Sequence, residues 1–433
     1  MSDLAALAEQ SGTKFILALF VDLRGKPCAK LVPVEAVDLL ATEGVGFAGY
    51  AVGAMGQEPK DPDLMAIPDT ASFTPIPFIK DGLAIVHCDP HVEGQPWPYA
   101  PRVILKALIQ RAADAGFEPW VGAEVEYFLL NRNADGSLSV ADTADTAAQP
   151  CYDARGVTRM YDHLTAVSTA MNALGWSNYA NDHEDGNGQF EQNFQFADAL
   201  TTADRVVTLR YLLSMIAADR GMVATFMPKP FTEKTGSGLH LHLSLTTGGS
   251  PVFPADDDAR GLGLSDTAYA FIGGILEHAS ALQAVVAPTV NSYKRTGATT
   301  TASGASWAPR TPTYGGNDRT HYIRVPDSAR VELRGGDGSA NPYLAIAAAL
   351  GAGIDGIKRS ADPGDIGGQG RSPLPPTLLH AVDVFESDPV VAGVLDAAGD
   401  GVAGYFANVK REEFFAYHSA VTPWEIDHYL TAF

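Results

Sequence analysis

The chain has 433 residues, enough for about two or three domains with a large buried core. Its 30 Lys and Arg against 51 Asp and Glu leave a formal net charge of −21, which repels nucleic acids and anionic lipid surfaces. Three scattered cysteines and the lack of a long apolar run argue against a disulfide framework or a membrane span, so we expect a cytoplasmic protein with no nucleic-acid and no membrane partner.

The first 100 residues are predicted to form a small α+β domain. A short N-terminal helix precedes a strand at 15–23, a turn and a second extended run at 29–32. Prolines then become frequent up to residue 101, which indicates a domain boundary. We therefore expect two domains, 1–100 and 101–433.

The second domain begins with a predicted helix at 102–116. Further helices are predicted at 159–174, 203–219, 266–287 and 342–358, and polar excursions at 131–149, 254–266 and 360–376. Between them lie short segments of strict polar and apolar alternation, which indicate strands with one polar face.

Four of these strands carry unusual polar faces. Successive polar positions carry Glu124 and Glu126, then Gln189 and Glu191, then His240, His242 and Ser244, then Arg330, Glu332 and Arg334. Each strand alone is compatible with a polar face that meets water. Together they carry the oxygen and imidazole ligands that suit Mg²⁺ or Mn²⁺, and guanidinium groups that suit phosphate and carboxylate oxygens. These are the parts of phosphoryl transfer, so the residues predict an ATP-dependent enzyme that acts on an acid.

Nearly the whole chain resembles glutamine synthetases and their γ-glutamyl-amide ligase relatives. The resemblance rests on the order and spacing of several motifs, which are Glu124-x-Glu126, Asn181-Asp182-His183-Glu184 through Gly188-Gln189-Phe190-Glu191, Gly236-Ser237-Gly238-Leu239-His240-Leu241-His242, Asn291-Ser292-Tyr293-Lys294-Arg295, Asn317-Asp318-Arg319, Arg324-Val325-Pro326 and Arg330-Val331-Glu332-Leu333-Arg334.

The resemblance implies an α+β fold: a small N-terminal β-grasp-like domain and a large catalytic domain built on a curved antiparallel sheet with flanking helices. It also implies a homo-oligomer, most simply a dodecamer, with active sites between subunits. The implied reaction has two steps. The γ-carboxylate of glutamate attacks ATP to give γ-glutamyl phosphate and ADP, and an amine then displaces phosphate.

The resemblance also implies a role for each motif residue, with ATP and two to three Mg²⁺ or Mn²⁺ ions per site. One ion would be held by Glu126, Glu184 and Glu191, and a second by Glu124, His240 and Glu332. Glutamate would be bound by Gly236, Arg295 and Arg334. The transferred phosphoryl group would be stabilised by Arg319 and Arg324. The nucleotide would contact Phe196, His242, Ser244 and Arg330, although the spacing of Phe196 from Phe190 and Phe194 also fits a core residue.

Two departures from the family pattern bear on the amine. Familiar glutamine synthetases bind ammonium with an acidic Asp-Gly-Ser-Ser loop, and here Ala48 and Ala51 replace the aspartate and a serine. The flap at 296–303 also lacks the glutamate of those enzymes. We therefore predict a small alkylamine as the acceptor, with methylamine favoured, because a less polar wall favours a methyl group by about 1–3 kcal/mol.

Several alternatives remain open at this stage. Ammonia is the acceptor if the chain is a glutamine synthetase of the type III group, while a polyamine would want the carboxylates that are missing. Thr235 stands where relatives often have Asn beside the glutamate, and Asp61 and Asp63 fit either an amine base or a solvated turn. Outside this activity, the alternatives are an inactive scaffold of the same fold and a guanidino kinase, which shares the curved sheet.

Overall fold

Two β-sheets organise the molecule, and helices pack against one face of the larger one. The computed structural model describes residues 2–298, 301, 304–368 and 371–433. The mixture of sheet and helix confirms the predicted α+β fold class.

The smaller sheet has seven strands in the first 100 residues. They are β1 (Phe15–Val21), β2 (Pro27–Pro33), β3 (Val45–Phe47), β4 (Leu64–Pro68), β5 (Thr74–Pro75), β6 (Leu83–Val92) and β7 (Gln95–Pro96). Their order is β2-β1-β6-β4-β3, with β5 and β7 also beside β6, and β1 and β6 run parallel while the other pairs are antiparallel. The helices here are α1 (Asp3–Gln10), α2 (Val37–Glu43) and α3 (Gly49–Val52). A separate apolar cluster packs this region, with buried members from Leu4 to Ala100.

The larger sheet has eleven strands. They are β8 (Glu118–Arg132), β9 (Leu138–Val140), β10 (Ala180–His183), β11 (Gln189–Asn193), β12 (Ala197–Asp198), β13 (Val223–Thr225), β14 (Leu239–Thr247), β15 (Ser250–Pro251), β16 (Tyr314–Gly315), β17 (Ile323–Asp327) and β18 (Arg330–Leu333). The main order is β10-β11-β8-β14-β18-β17-β16, and all pairs except β16 with β17 are antiparallel. The long strand β8 also pairs with β9, β12 and β13, which makes it the centre of the sheet.

Twelve described helices accompany this sheet. They are α4 (Pro101–Asp114), α5 (Ala154–Arg159), α6 (Tyr161–Ala173), α7 (Ala199–Ala218), α8 (Asp266–Glu277), α9 (Ala279–Val286), α10 (Ser292–Thr296), α11 (Pro342–Arg359), α12 (Leu378–Ser387), α13 (Pro389–Leu395), α14 (Val402–His418) and α15 (Pro423–Tyr429). No single helix in the described ranges is long and apolar enough to cross a bilayer, and two bent pairs, α8 with α9 and α13 with α14, pass on length and composition alone.

The predicted helix at 266–287 is wrong in one respect, because it consists of two helices that bend by 73°. The bend lies at His278, whose ring bonds Asp388 at 2.7 Å and Asp355 at 3.2 Å. Apolar residues continue on both sides of the bend, so spacing alone gave no sign of it.

The alternation in β8 and β14 sorts the two faces of the sheet as predicted. Val121, Ala123, Val125, Tyr127 and Leu129 join the main apolar core from β8, and four alternate leucines join it from β14. The intervening side chains therefore lie on the opposite face, away from the helices. This second face carries the acids and histidines of the candidate site.

Candidate active site

Strand register brings the predicted acids and histidines together. Across β11 and β8, Glu191 pairs with Glu126, and across β8 and β14, Glu124 pairs with His240. Across β14 and β18, His242 pairs with Glu332. Directly paired residues have Cβ atoms about 5 Å apart, so four adjacent strands concentrate these side chains in one place.

One cluster joins three carboxylates. Ligand oxygens of Glu126, Glu184 and Glu191 all lie within 4.8 Å of one another. Burial and the neighbouring carboxylates raise the pKa of Glu184 and of Glu191 well above the ordinary value. Like charges this close repel, and a divalent cation relieves that repulsion, so the donor set fits a hard metal ion.

A second cluster joins Glu124, His240 and Glu332, again within 4.8 Å. The imidazoles of His240 and His242 hydrogen-bond the two oxygens of Glu124 at 3.0 and 2.8 Å. Burial opposes ionisation of Glu124, but these two bonds outweigh it and hold its pKa well below the usual range. The buried Nε2 of His240 has no hydrogen-bond partner among the described residues.

That free Nε2 lies 3.9 Å from Glu126 Oε1, so His240 stands between the two clusters. A buried nitrogen without a hydrogen-bond partner beside carboxylate oxygens is suited to bind a metal ion. Five carboxylates with a single imidazole suit Mg²⁺ or Mn²⁺ better than zinc. The residues present therefore fit two divalent ions.

The buried arginines of the site have both paired and unpaired nitrogen atoms. Arg324 donates to Glu332 at 2.7 Å and to Asn317 at 3.0 and 2.7 Å, and Arg334 donates to the other oxygen of Glu332. Arg295 is only 2% exposed, yet its Nε and Nη1 have no partner among the described residues, and neither has Nε of Arg334. Buried guanidinium groups with open donors fit an anion such as a carboxylate.

Gly236 lies directly against Arg295. A Cβ atom at this glycine would lie 2.3 Å from the carbonyl oxygen of Pro228 and 2.8 Å from Cγ of Arg295. No side chain fits there without a shift of the backbone. The loop therefore presents bare backbone next to the open donors of Arg295.

A cavity of about 340 Å³ adjoins the second cluster and contains most of the predicted nucleotide contacts. Its lining includes Glu124, Tyr179, Phe196, His242 and Arg330. Arg330 Nε donates to His242 Nδ1 at 3.1 Å, which leaves His242 Nε2 to donate to Glu124. One chain of hydrogen bonds thus joins the cavity to the second cluster.

Phe196 is a cavity residue and not a core residue. It is 54% exposed, whereas Phe194 is 2% exposed and buried in the core. The strand β11 ends at Asn193, so the strict alternation that suggested a shared face with Phe190 does not extend to position 196. Ser244 lies further along the same face of β14, opposite Trp120, outside this lining.

Arg319 lies outside the two buried clusters. It is exposed in a turn between β16 and β17. Burial and nearby acidic groups raise the pKa of the Tyr152 phenol, and the charge of Arg319 partly opposes this rise. Tyr152 donates its backbone N–H to the carbonyl oxygen of His183, next to Glu184. Arg319 thus stands at the outer edge of the site.

Comparisons with known proteins agree with this geometry. The family described as glutamine synthetase, catalytic domain, matches residues 98–429. A glutamine synthetase of Rhizobium leguminosarum bv. phaseoli is 42% identical and is covered over 99% of both chains. The chain belongs to the glutamine synthetase family. It is therefore an ATP-dependent carbon–nitrogen ligase.

The chain is also similar to a glutamate–methylamine ligase and to GmaS. A glutamate–methylamine ligase of Methyloversatilis universalis is 39% identical over 100% of this chain and 99% of its own. Two solved structures of GmaS are also similar. The ADP complex is 46% identical with a TM-score of 0.93, over 99% of this chain and all of that one, and the apo form is 45% identical with a TM-score of 0.92, over all of both chains. Enzymes of the family use ATP and divalent metal ions, bind glutamate and ammonia or an amine, and form oligomers.

Three further polar residues lie at the site, and no role was predicted for any of them from the sequence. Gln189 donates to Glu126 and to the Gly236 carbonyl, each at 3.1 Å, and so connects the first cluster to the loop at Gly236. Burial and the charges of Glu124 and Glu126 raise the pKa of Asp182 to about 6. Strand alternation could have indicated both residues, because Gln189 and Asp182 each share a strand face with the predicted ligand Glu191.

Asp185 is the third, and alternation gives no sign of it. One of its oxygens accepts from Thr235 Oγ1 at 2.6 Å and from Trp307 Nε1 at 2.9 Å. Trp307 lies 122 residues further along the chain. Thr235, a departure from the family pattern, thus contacts an acid beside Glu184.

The loop that departs from the family pattern lies at the surface of the subunit. Ala48, Tyr50 and Ala51 are all exposed, Tyr50 by 60%, around the start of α3. In the predicted flap, Thr296 ends α10, while residues 299, 300, 302 and 303 lie outside the described residues. The open surface of this loop is compatible with a contact to another subunit.

Proposed function

We propose that this ligase forms γ-glutamylmethylamide from glutamate, methylamine and ATP through γ-glutamyl phosphate. The observation that carries the choice of amine is the segment at 47–51, in which the exposed Ala48 and Ala51 stand where ammonium-binding relatives have an acid and a serine. The similarity to a glutamate–methylamine ligase and to GmaS supports it.

Two divalent ions, Mg²⁺ or Mn²⁺, fit the clusters Glu126–Glu184–Glu191 and Glu124–His240–Glu332. When bound, such ions neutralise phosphate charge and so favour phosphoryl transfer. The nucleotide occupies the 340 Å³ cavity, where Phe196 offers an open ring face to the base and His242 and Arg330 offer donors to phosphate. Ser244 extends the same polar face.

Glutamate lies against Arg295, Arg334 and the bare backbone at Gly236. The open donors of the two buried guanidinium groups bind its carboxylate and hold the γ-carboxylate toward the clusters. The γ-carboxylate oxygen attacks the terminal phosphorus of ATP, and ADP leaves. Arg324 and Arg319 offer positive charge to the transferred group from the buried and outer sides.

The amine then attacks the carbonyl carbon of γ-glutamyl phosphate. It loses a proton, the C–O bond breaks and phosphate leaves with the bonding electron pair. A segment without carboxylates gives ammonium no ion-pair partner. Methylamine, which also buries a methyl group, is therefore favoured over ammonia by about 1–3 kcal/mol of binding free energy.

Glutamine synthesis from ammonia is the second candidate. It is favoured by two Rhizobium glutamine synthetases at 42% identity, slightly above the glutamate–methylamine ligase. The sequence relationships thus leave the amine open, and the loop chemistry favours methylamine.

Steady-state ADP release with glutamate, ATP and Mg²⁺ decides between the two amines. We expect a higher kcat/KM for methylamine than for ammonium, with the product identified by mass. An ammonium kcat/KM equal to or above that for methylamine refutes the proposal in favour of glutamine synthesis.

We further propose a cytoplasmic dodecamer in which neighbouring subunits share each site, with domains at 1–100 and 101–433. The exposed loop around Ala48 supports the shared site, and the separate apolar cluster between Leu4 and Ala100 supports the boundary. Light scattering on the purified enzyme measures the subunit number directly.

A further inference from the structure

The polar excursion at 131–149 delivers one buried acid to the back of the site. Asp145 is 4% exposed and accepts three hydrogen bonds from the segment 183–188. Its Oδ2 accepts from His183 Nε2 and from the backbone N–H of Gly188, both at 2.6 Å. Its Oδ1 accepts from Asn187 Nδ2 at 3.0 Å.

His183 transmits this contact to Glu184. Its ring is fully buried, and Nδ1 lies 2.7 Å from the carbonyl oxygen of Glu184. Each ring nitrogen therefore lies within hydrogen-bond distance of one oxygen, on the Asp145 side chain or on the Glu184 backbone. Every polar atom of the buried ring is thus used.

The surroundings leave this ring no other position. It packs edge-on against Phe190, with ring centroids 4.9 Å apart. On the other side is Gly156 of α5, where a Cβ atom would lie 2.5 Å from the ring. The imidazole thus lies between Phe190 and Gly156, and any side chain at position 156 would collide with it.

We propose that Asp145 is a positioning residue of the metal site, which fixes the backbone of Glu184 through His183 and closes the turn at Gly188. The proposal rests on the proposed function in one point only, namely that Glu184 is a metal ligand. Asp145 itself touches neither metal nor substrate. Groups behind a ligand commonly change metal affinity by about 10–100-fold when they are removed.

The position of the turn matters because three of its neighbours also act in the site. Glu184 belongs to the first cluster, Asp185 contacts Thr235 and Trp307, and Gln189 contacts Glu126. Without Asp145, this turn loses its hydrogen bonds from His183, Asn187 and Gly188. Asp145 therefore anchors the segment that carries Glu184, Asp185 and Gln189.

The test compares Asp145→Ala with Asp142→Ala in the full-length protein. Asp142 lies on the same excursion, but its carboxylate pairs with Arg159 at 2.5 Å instead. In the metal-free protein, amide hydrogen exchange over residues 183–189 should become at least about tenfold faster in Asp145→Ala and stay unchanged in Asp142→Ala. In Mn²⁺ titration calorimetry, one class of site should weaken by about 10–100-fold in Asp145→Ala only, while the other is retained.

Asp145→Asn keeps an oxygen toward His183 and Gly188 and should loosen the same segment less than Asp145→Ala does. It decides the question if the alanine variant lacks a cooperative unfolding transition. Wild-type exchange together with wild-type Mn²⁺ affinity in the folded variants overturns the proposal. Lack of methylamine-dependent ADP release by the wild type refutes the proposed function instead, and the exchange result remains readable.

Discussion

Replacement of Arg295 by methionine should separate binding from stability. The side chain is 2% exposed, and burial lowers its pKa although Glu126 and Asp337 act in the opposite direction. Its Nε and Nη1 are buried without partners among the described residues, and each such donor costs about 1–3 kcal/mol. Methionine fills a similar volume without this cost, so the substrate-free enzyme should be at least as stable as the wild type.

The same change should abolish efficient use of glutamate. Two charge-assisted hydrogen bonds to a carboxylate contribute about 1.5–3 kcal/mol each, so their loss costs about 3–6 kcal/mol. At about 1.4 kcal/mol per decade this lowers kcat/KM for glutamate by about 10²–10⁴-fold. Urea unfolding of the metal-free enzyme and steady-state ADP release measure the two effects.

Arg102→Met is the matched control. Arg102 is 4% exposed, but its guanidinium pairs with Asp69, Asp89 and Asp204 at 2.8, 2.8 and 3.0 Å. Its removal leaves those carboxylates uncompensated and should cost about 3–5 kcal/mol of stability. As much stability lost in Arg295→Met as in Arg102→Met would show that the open donors do not destabilise the free enzyme, and a wild-type kcat/KM would show that they do not bind glutamate.

Three further predictions concern the nucleotide, the amine and pH. Phe196→Ala should raise the KM for ATP by about 5–100-fold through lost stacking, with no loss of stability because the ring is 54% exposed, and a wild-type KM contradicts it. Ala48→Asp should raise kcat/KM for ammonium relative to methylamine by about tenfold, whereas Ala134→Asp on another exposed loop should leave the ratio unchanged. Burial lowers the pKa of His278, but hydrogen bonding to Asp388 outweighs it and raises the folded value above 6.5. His278→Asn should therefore reduce the free energy of unfolding at about pH 6 and much less at about pH 9, and an equal loss at both pH values contradicts the ion pair.

Local spacing predicted much of the site. A strand repeats every two residues whatever lies beside it, so Glu124 and Glu126, or His240 and His242, share a face in any sheet. The structure places these side chains on the face opposite the core. The four polar strands could thus be recognised from the residues, and their family from the order of the motifs.

Positions where regular structure ends could not be predicted in this way. Alternation classed Phe196 with Phe190 and Phe194, but β11 ends at Asn193 and the ring turns out into the cavity. The bend at His278 was missed for the same reason. An apolar pattern indicates which residues are buried, but it does not show where a helix or strand ends or which way the chain turns afterwards.

The chemical groups, their shared strand faces and the family follow from residues a few positions apart and could be predicted from the chain alone. Which groups meet across long stretches of chain depends on the three-dimensional fold. Asp145 reaches His183 across 38 residues, and Trp307 reaches Asp185 across 122. Such contacts depend on how loops pass over the sheet, and packing of the whole chain sets those paths. The strands thus carry most of the candidate ligands, and the connections between strands bring Glu184 and distant residues such as Asp145 to the same site.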